Sequence, residues 1–481
     1  MRKGKVGCYV INKISLIVRI LTLSVTILTI SHSYSFSTVF DVTNEDELRE
    51  ALSLAQSNGE DDVINIAAGL YSTGGVPFSF SSDEDFSLAI EGEGAGLTIL
   101  DGGEMSRVLE INTVSEASVF ITIKGLTIQN GFHVSIPGDI SKSDGAGIYA
   151  VSQNITIEDC EFIDNSISRA GDGGGLYADA QNIGLLGNLF SGNSAAFSGG
   201  GAYMVSDVLN LSDNQFIGNS SGSEGGGLYS ERADVVSTNN IFLQNSSGQS
   251  FEGGGAAARF WLPGTVTITN NTISLNFIET PRRGLAALSI YGIPASETNV
   301  VNIYNNIVFE NDIVDGVDVL VVTYPLPVPT PLPGQTIPPE IVDFGTLNIF
   351  NNDFSTFHLD TSPSGCEFSF RECILEINEG NNIDLDPLFV DAEAGDVSLQ
   401  PDSPCIDAGD PDAPDVPATD IFGSPRVPPP DMGAVEFVPP EIEDLHGEGG
   451  GCSIVRTPVT SSLAVFWALP VLILMRRIVR R

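Results

Sequence analysis

Two arginines and their neighbours are the residues of this chain whose spacing invites chemistry. Arg232 and Arg259 follow successive glycine triplets, one residue out of step with each other, close to Glu231, Asp234 and Glu252. Stacked on one wall, such a pair would act as base and substrate clamp, since a guanidinium is a planar fork whose charge the nearby acids tune. The plainer reading makes both exposed residues that balance adjacent carboxylates. Lysine adds little, because beyond the first 13 residues only Lys124 and Lys142 remain.

The acids dominate everything else. All 62 lie between Asp41 and Glu448, while five of the 21 basic residues fall in the first 19 positions and four in the last six, leaving 12 for the rest of the chain. Such a field repels nucleic acid and anionic lipid and favours solubility, so nucleic acid is excluded as a partner. Two readings stand for the carboxylates: a solvated acidic coat suited to salty surroundings, and calcium held by stacked carboxylates, which makes Ca²⁺ the one cofactor to consider. A polyanion such as pectate would need calcium to bridge it to this body. Cysteine use shows no zinc-type pairing. Cys366 and Cys373, six residues apart in a loop-like stretch, are the candidate disulfide, whereas Cys160 and Cys405 read as small buried positions.

The element that must carry these residues is written four times. Phe162-Ile-Asp-Asn165, Phe190-Ser-Gly-Asn193, Phe216-Ile-Gly-Asn219 and Phe242-Leu-Gln-Asn245 recur at steps of 28, 26 and 26 residues, each followed by a glycine triplet beginning at Gly173, Gly199, Gly225 or Gly253. A constant step of this size marks a solenoid, whose unit buries its apolar face only against its neighbours. The runs between the phrases alternate apolar and polar residues without a helical stripe, so the unit is built of strands. Three short strands and three turns fit such a step at roughly 5 residues per strand. Each Phe is then expected in an internal column and the triplets at a crowded corner. Asn165, Asn193, Asn219 and Asn245, with Asn276 and Asn311 after wider steps of 31 and 35, are expected to take positive φ at a turn and to bond to one another along the axis.

The paired phrases resemble the repeats of polymorphic outer-membrane proteins and, more broadly, right-handed parallel β-helices of the pectin-lyase-like class, over roughly Thr98 to Ile313. The resemblance implies an all-β fold, a single-stranded right-handed parallel β-helix. Its open N-terminal end is expected to be covered by an amphipathic helix with Leu48, Ala51, Leu52 and Ala55 on one face behind an N-cap at Thr43-Asn44. A second resemblance begins at Asp386. Asp386-Pro-Leu-Phe389, Pro401-Asp-Ser-Pro404, Ile406-Asp-Ala-Gly409, Pro425-Arg426 and Asp431-Met-Gly-Ala-Val-Glu436 look like the terminal module of the bacterial choice-of-anchor Q family, with Cys405 where that family usually has Ala. Asp407, Asp420, Asp431 and Arg426 are expected to form one buried polar network closing the last coil, with a calcium site as the alternative.

The domain plan follows. Residues 1–33 read as a signal peptide, 34–385 as the β-helix with its N-terminal cap and a proline-rich loop at 325–339, and 386–437 as the terminal module. An acidic, glycine-containing linker at 438–456 holds Cys452, and 457–481 is a membrane-spanning tail. Gly450, Gly451 and Cys452, the apolar run, and Arg476 and Arg477 resemble the tripartite sorting signals of Gram-negative bacteria. That resemblance implies a sorting protease as partner and a site at the cell envelope, on its outer surface; a plain single-span anchor is the simpler alternative. The function expected from these parts is that of a non-enzymatic surface adhesin or structural scaffold, with surface glycans or envelope components as partners. The alternative is a polysaccharide lyase or glycoside hydrolase on the same scaffold, for which the shortage of bases is the obstacle.

Overall fold

The computed structural model describes residues 37–439, apart from 114–118, 135–143, 249–254, 262, 279–284, 295, 297, 314–315, 325–339 and 361–370. The expected signal peptide, the proline-rich stretch 325–339, Gly450, Gly451, Cys452 and the expected tail with Arg476 and Arg477 lie outside the described residues. So does Cys366 of the candidate disulfide, and the side chain of its partner Cys373 is likewise outside the description.

One coil shows how the sequence folds. Asn182–Leu186 turns Ile183 and Leu185 inward, Leu189–Ser191 buries Phe190, Ser194–Ala195 is a strand of two residues, and Ala202–Val205 buries Ala202 and Met204. Alternation along each strand gives every wall one dry face and one wet face. Successive coils stack in parallel and in register, so that Phe162, Phe190, Phe216 and Phe242 align. Their rings lie 4.5–4.8 Å apart, nearly parallel, in the interior. The result is an all-β, right-handed parallel β-helix.

The coil has four walls rather than three. Among the described residues the first holds twelve strands, from Ser37–Val42 to Arg371–Gly380; the second ten, from Gly69–Ser72 to Asp353–Phe354. The third is narrow, with six strands from Phe132–Val134 to Phe277–Ile278, and the fourth has ten, from Phe78–Ser82 to Phe357–Asp360. The extra wall arises because the second wall ends after three residues, at the left-handed residue before the phrase asparagine. Two or three residues of strand then fit before the glycine corner.

That corner needs glycine for two reasons. Gly199 has a φ of 67°, and a Cβ on Gly200 or Gly201 would meet the carbonyl oxygen of Gly226 or Gly227 in the next coil at 2.4 or 2.5 Å. No side chain fits at that separation.

Helix α1 (Glu45–Ala55) begins at Asn44, whose side chain accepts the Glu47 N–H at 3.0 Å, while Glu47 accepts the Thr43 N–H at 2.8 Å. It buries Leu48, Ala51, Leu52 and Ala55 in the same core as the first coils, against the strands Asp61–Ile66 and Phe78–Ser82. The strand Ser37–Val42 precedes it and pairs with Asp61–Ile66.

Residues 386–437 do not close the last coil. They run back along the outside of the turn between the first and second walls, where Asn239, Asn270, Asn305 and Asn351 donate to the carbonyls of Thr419, Asp431, Asp410 and Ala408. The reason is apolar surface on the outer face of the second wall: Ile241 and Leu243 pack with Val397, Ala434 and Val435, and Ile307 with Leu399, Cys405 and Met432. Burying it is worth about 25 cal/mol per Å².

Candidate functional site

The six asparagines of the repeated phrase form one column at the turn between the second and third walls. Their φ is not the positive one expected. The left-handed residue is the one before each: Asp164, Gly192, Gly218, Gln244, Leu275 and Glu310, with φ between 52° and 67°. The left-handed residue reverses the chain, so the next side chain points inward, where an amide meets two coils at once. Asn219 is typical: Nδ2 donates to Phe190 O at 2.8 Å and Asn245 Oδ1 at 3.0 Å, and Oδ1 accepts the backbone N–H and Nδ2 of Asn193, both at 3.0 Å. The same contacts link Asn165 to Asn193 and run on through Asn245 and Asn276 to Asn311.

A second column was not read from the sequence. Asn188, Asn214, Asn240, Asn271, Asn306, Asn352 and Asn382 repeat the arrangement at the turn between the first and second walls. Its signal was the recurring Asn-Asn pair at 239, 270, 305, 351 and 381, whose first member takes the left-handed conformation. Cys160 stands at the head of this column. Its N–H donates to Asn188 Oδ1 at 3.0 Å, and burial pushes its thiol up to about 12.

The outer face of the fourth wall carries a different file. Tyr149, Tyr177, Tyr203 and Tyr229 stack with centroids 5.2, 5.5 and 4.9 Å apart. Because the rings cover one another's faces, their edges and hydroxyls are what the wall presents. Tyr203 donates to Glu231. Arginines stand at both ends: Arg107 lies 4.9 Å from the Tyr149 centroid, and Arg259 lies 6.0 Å from Tyr229 and 4.8 Å from Tyr291. Beside the file, Asp144 accepts the Asp172 N–H and Asp172 the Ser198 N–H. Burial raises both carboxyls, Asp172 to about 7, with its neighbours Asp144 and Glu231 adding to the rise.

The two arginines weighed as base and clamp are not brought together. Arg259 pairs in register with Tyr229 and is buried, 2.9 Å from Glu224, which corrects its expected exposure. Arg232 lies beyond the strand end, left-handed at φ 64° and exposed, 4.0 Å from Glu231. It borders an open groove of about 330 Å³ with Gln153, Asp179, Gln181, Ser206 and Asp207. Lys124 is committed to Glu158 at 2.8 Å, and Lys142 lies outside the described residues. Among the described residues, no three His, Cys, Asp or Glu side chains converge to hold a metal.

In the segment 386–437 the polar network exists, with changed membership. Arg426 pairs with Glu436 at 3.0 Å and donates to Asn239 Oδ1 at 2.8 Å. Asp420 accepts the N–H groups of Phe422, Ser424 and Glu436. Asp431 accepts those of Asp407 and Phe437, and burial raises it to about 6. Asp407 contributes only its backbone, and Glu436, the partner of Arg426, was missed. The network fixes the segment to the flank of the solenoid, not to its end.

Residues 108–308 match the right handed beta helix region family. No curated protein matches the chain. Among solved structures, a PL6 family polysaccharide lyase from Pseudopedobacter saltans is similar at 13% identity, over 72% of this chain and 92% of that one, with a TM-score of 0.26. A likeness of that degree carries no inference about activity.

Proposed function

We propose that the chain is an exported β-helix scaffold, held at the cell envelope by its C-terminal tail, that presents its outer walls for binding and performs no catalysis. The observation that carries this reading is the pair of buried asparagine columns, which tie every regular coil to the next and make the solenoid a stiff spacer. The commitment of Arg259 to Glu224 and two tyrosine rings supports it, since a buried, paired guanidinium is a poor base. Polymorphic outer-membrane-type repeats, a choice-of-anchor Q module on the flank, a signal peptide, a Cys366–Cys373 disulfide and a sorting tail complete the reading. Adhesion to surface glycans or envelope components is the role it assigns.

The test is a glycan-array and polysaccharide-degradation screen of the full chain in detergent, with and without calcium. Glycan capture without cleavage is the expected result. Appearance of unsaturated or hydrolysed products would replace the scaffold reading with that of a lyase or hydrolase.

A further inference from the structure

The two ends of the solenoid are finished differently. At the N-terminal end α1 covers the core. At the other end the segment 386–437 turns away along the flank, and Arg371–Gly380, Asp353–Phe354 and Phe357–Asp360 are the last strands of the first, second and fourth walls. Two inward columns of the first wall show what this leaves. One runs through Val266, Val301 and Leu347 to Ile377, which is 47% exposed. The other runs through Ile268, Ile303 and Ile349, all buried, to Glu379, which is exposed. A carboxylate therefore occupies the position where the core column would continue.

We infer that Glu379 bars a second copy of this chain from docking end to end on the last coil. Among the described residues the outer edge of Arg371–Gly380 has no partner strand, and such an edge beside an exposed isoleucine is a template for further pairing. Two geometries are open among the described residues: head to tail, onto the outer edge of Ser37–Val42, the first strand of the first wall, and two-fold, with two Arg371–Gly380 strands meeting. Either contact would bury Ile377 and would carry the Glu379 carboxylate into the dry interior. The carboxylate would lose its water there, and no base lies beside it on the strand to compensate: residues 375–380 read Leu-Glu-Ile-Asn-Glu-Gly. Glu376, in register with Thr346, belongs to the alternate set of this strand and faces outward.

Sedimentation of the full chain in a density-matched detergent tests this with three variants. Glu379→Leu is expected to tighten self-association by about 10- to 100-fold over the wild type, as an apolar side chain replaces the charge at the contact. Glu376→Leu adds the same apolar surface on the outer face and is expected to sediment as the wild type does. Glu379→Gln is expected to fall between. Equal association of Glu379→Leu and wild type, or of the two leucine variants, overturns the inference. If Glu379→Leu fails to fold, the Gln variant decides: tighter association than wild type supports the inference, and unchanged association overturns it.

Discussion

Replacing Asn219 by alanine tests the asparagine column at a point where every contact is defined. The change removes an oxygen that accepts two donors of Asn193 and a nitrogen that serves Phe190 O and Asn245 Oδ1. Asn193 is itself fully buried, so its backbone N–H and one amide hydrogen are left without water or partner. At about 1–3 kcal/mol for each of the two stranded donors, the loss comes to roughly 2–6 kcal/mol. The acceptors weigh less: Phe190 O lies in a strand with ladder bonds of its own, and Asn245 Oδ1 keeps the Asn219 N–H at 3.1 Å. Asn311 likewise accepts two donors of Asn276, but at the end of the column it is only part-buried, so water can take its place and Asn311→Ala is expected to cost less than half as much. A solenoid need not unfold in one step, so a melt alone can hide a local loss. Amide hydrogen exchange read by mass spectrometry is the better assay. Peptides spanning residues 189–195 and 215–221 are expected to lose protection in Asn219→Ala, while those of the first coils keep theirs. Protection within about 0.3 kcal/mol of wild type at Asn193 would refute the argument that these amides hold coil to coil.

Further outcomes follow from the buried charges and the tail. Asp172, raised to about 7, holds its proton more tightly when folded than unfolded, so its contribution falls as pH rises from about 4 to about 7; Asp353 and Asp431, raised to about 6, act the same way. Asp172→Asn keeps the Ser198 contact and is expected to raise stability at pH 8 by at most about 4 kcal/mol and to leave it unchanged near pH 4, as melts at the two pH values would show. A destabilised variant at pH 8 would reject the assignment. Arg426→Ala leaves Glu436 buried without its cation and is expected to cost about 3–5 kcal/mol, seen in limited proteolysis as early cleavage within residues 386–437; a cleavage pattern like the wild type's would refute it. In the sorting reading of the tail, Cys452→Ala blocks processing, and intact mass of the envelope protein shows a species ending at Arg481. A wild-type protein that already ends at Arg481 would favour the plain anchor.

The repeat step and the alternation of Val208-Leu-Asn-Leu-Ser specified a strand solenoid, because register and burial in such a fold are set by neighbours about 26 residues away. The helix was legible as well, since Asn44, Glu47 and the stripe from Leu48 to Ala55 are local signals that do not wait for tertiary structure. What the sequence left open were relations between distant residues. The burial of Arg259 depends on Glu224 and on rings at Tyr229 and Tyr291, which only stacking brings within reach. The second asparagine column was written as plainly as the first, but its Asn-Asn pairs also suit any polar turn, and only the stacked coils show that the second amide of each pair points inward. The path of residues 386–437 lay furthest from the local signals. The motif residues Arg426, Asp420 and Asp431 announce a polar network, but where it docks is decided by Ile241, Leu243 and Ile307 on the outer face of strands that also bury Phe242 and Val308 inward. A strand apolar on both faces says that something must cover it; which segment reaches it is settled only when the coils have closed.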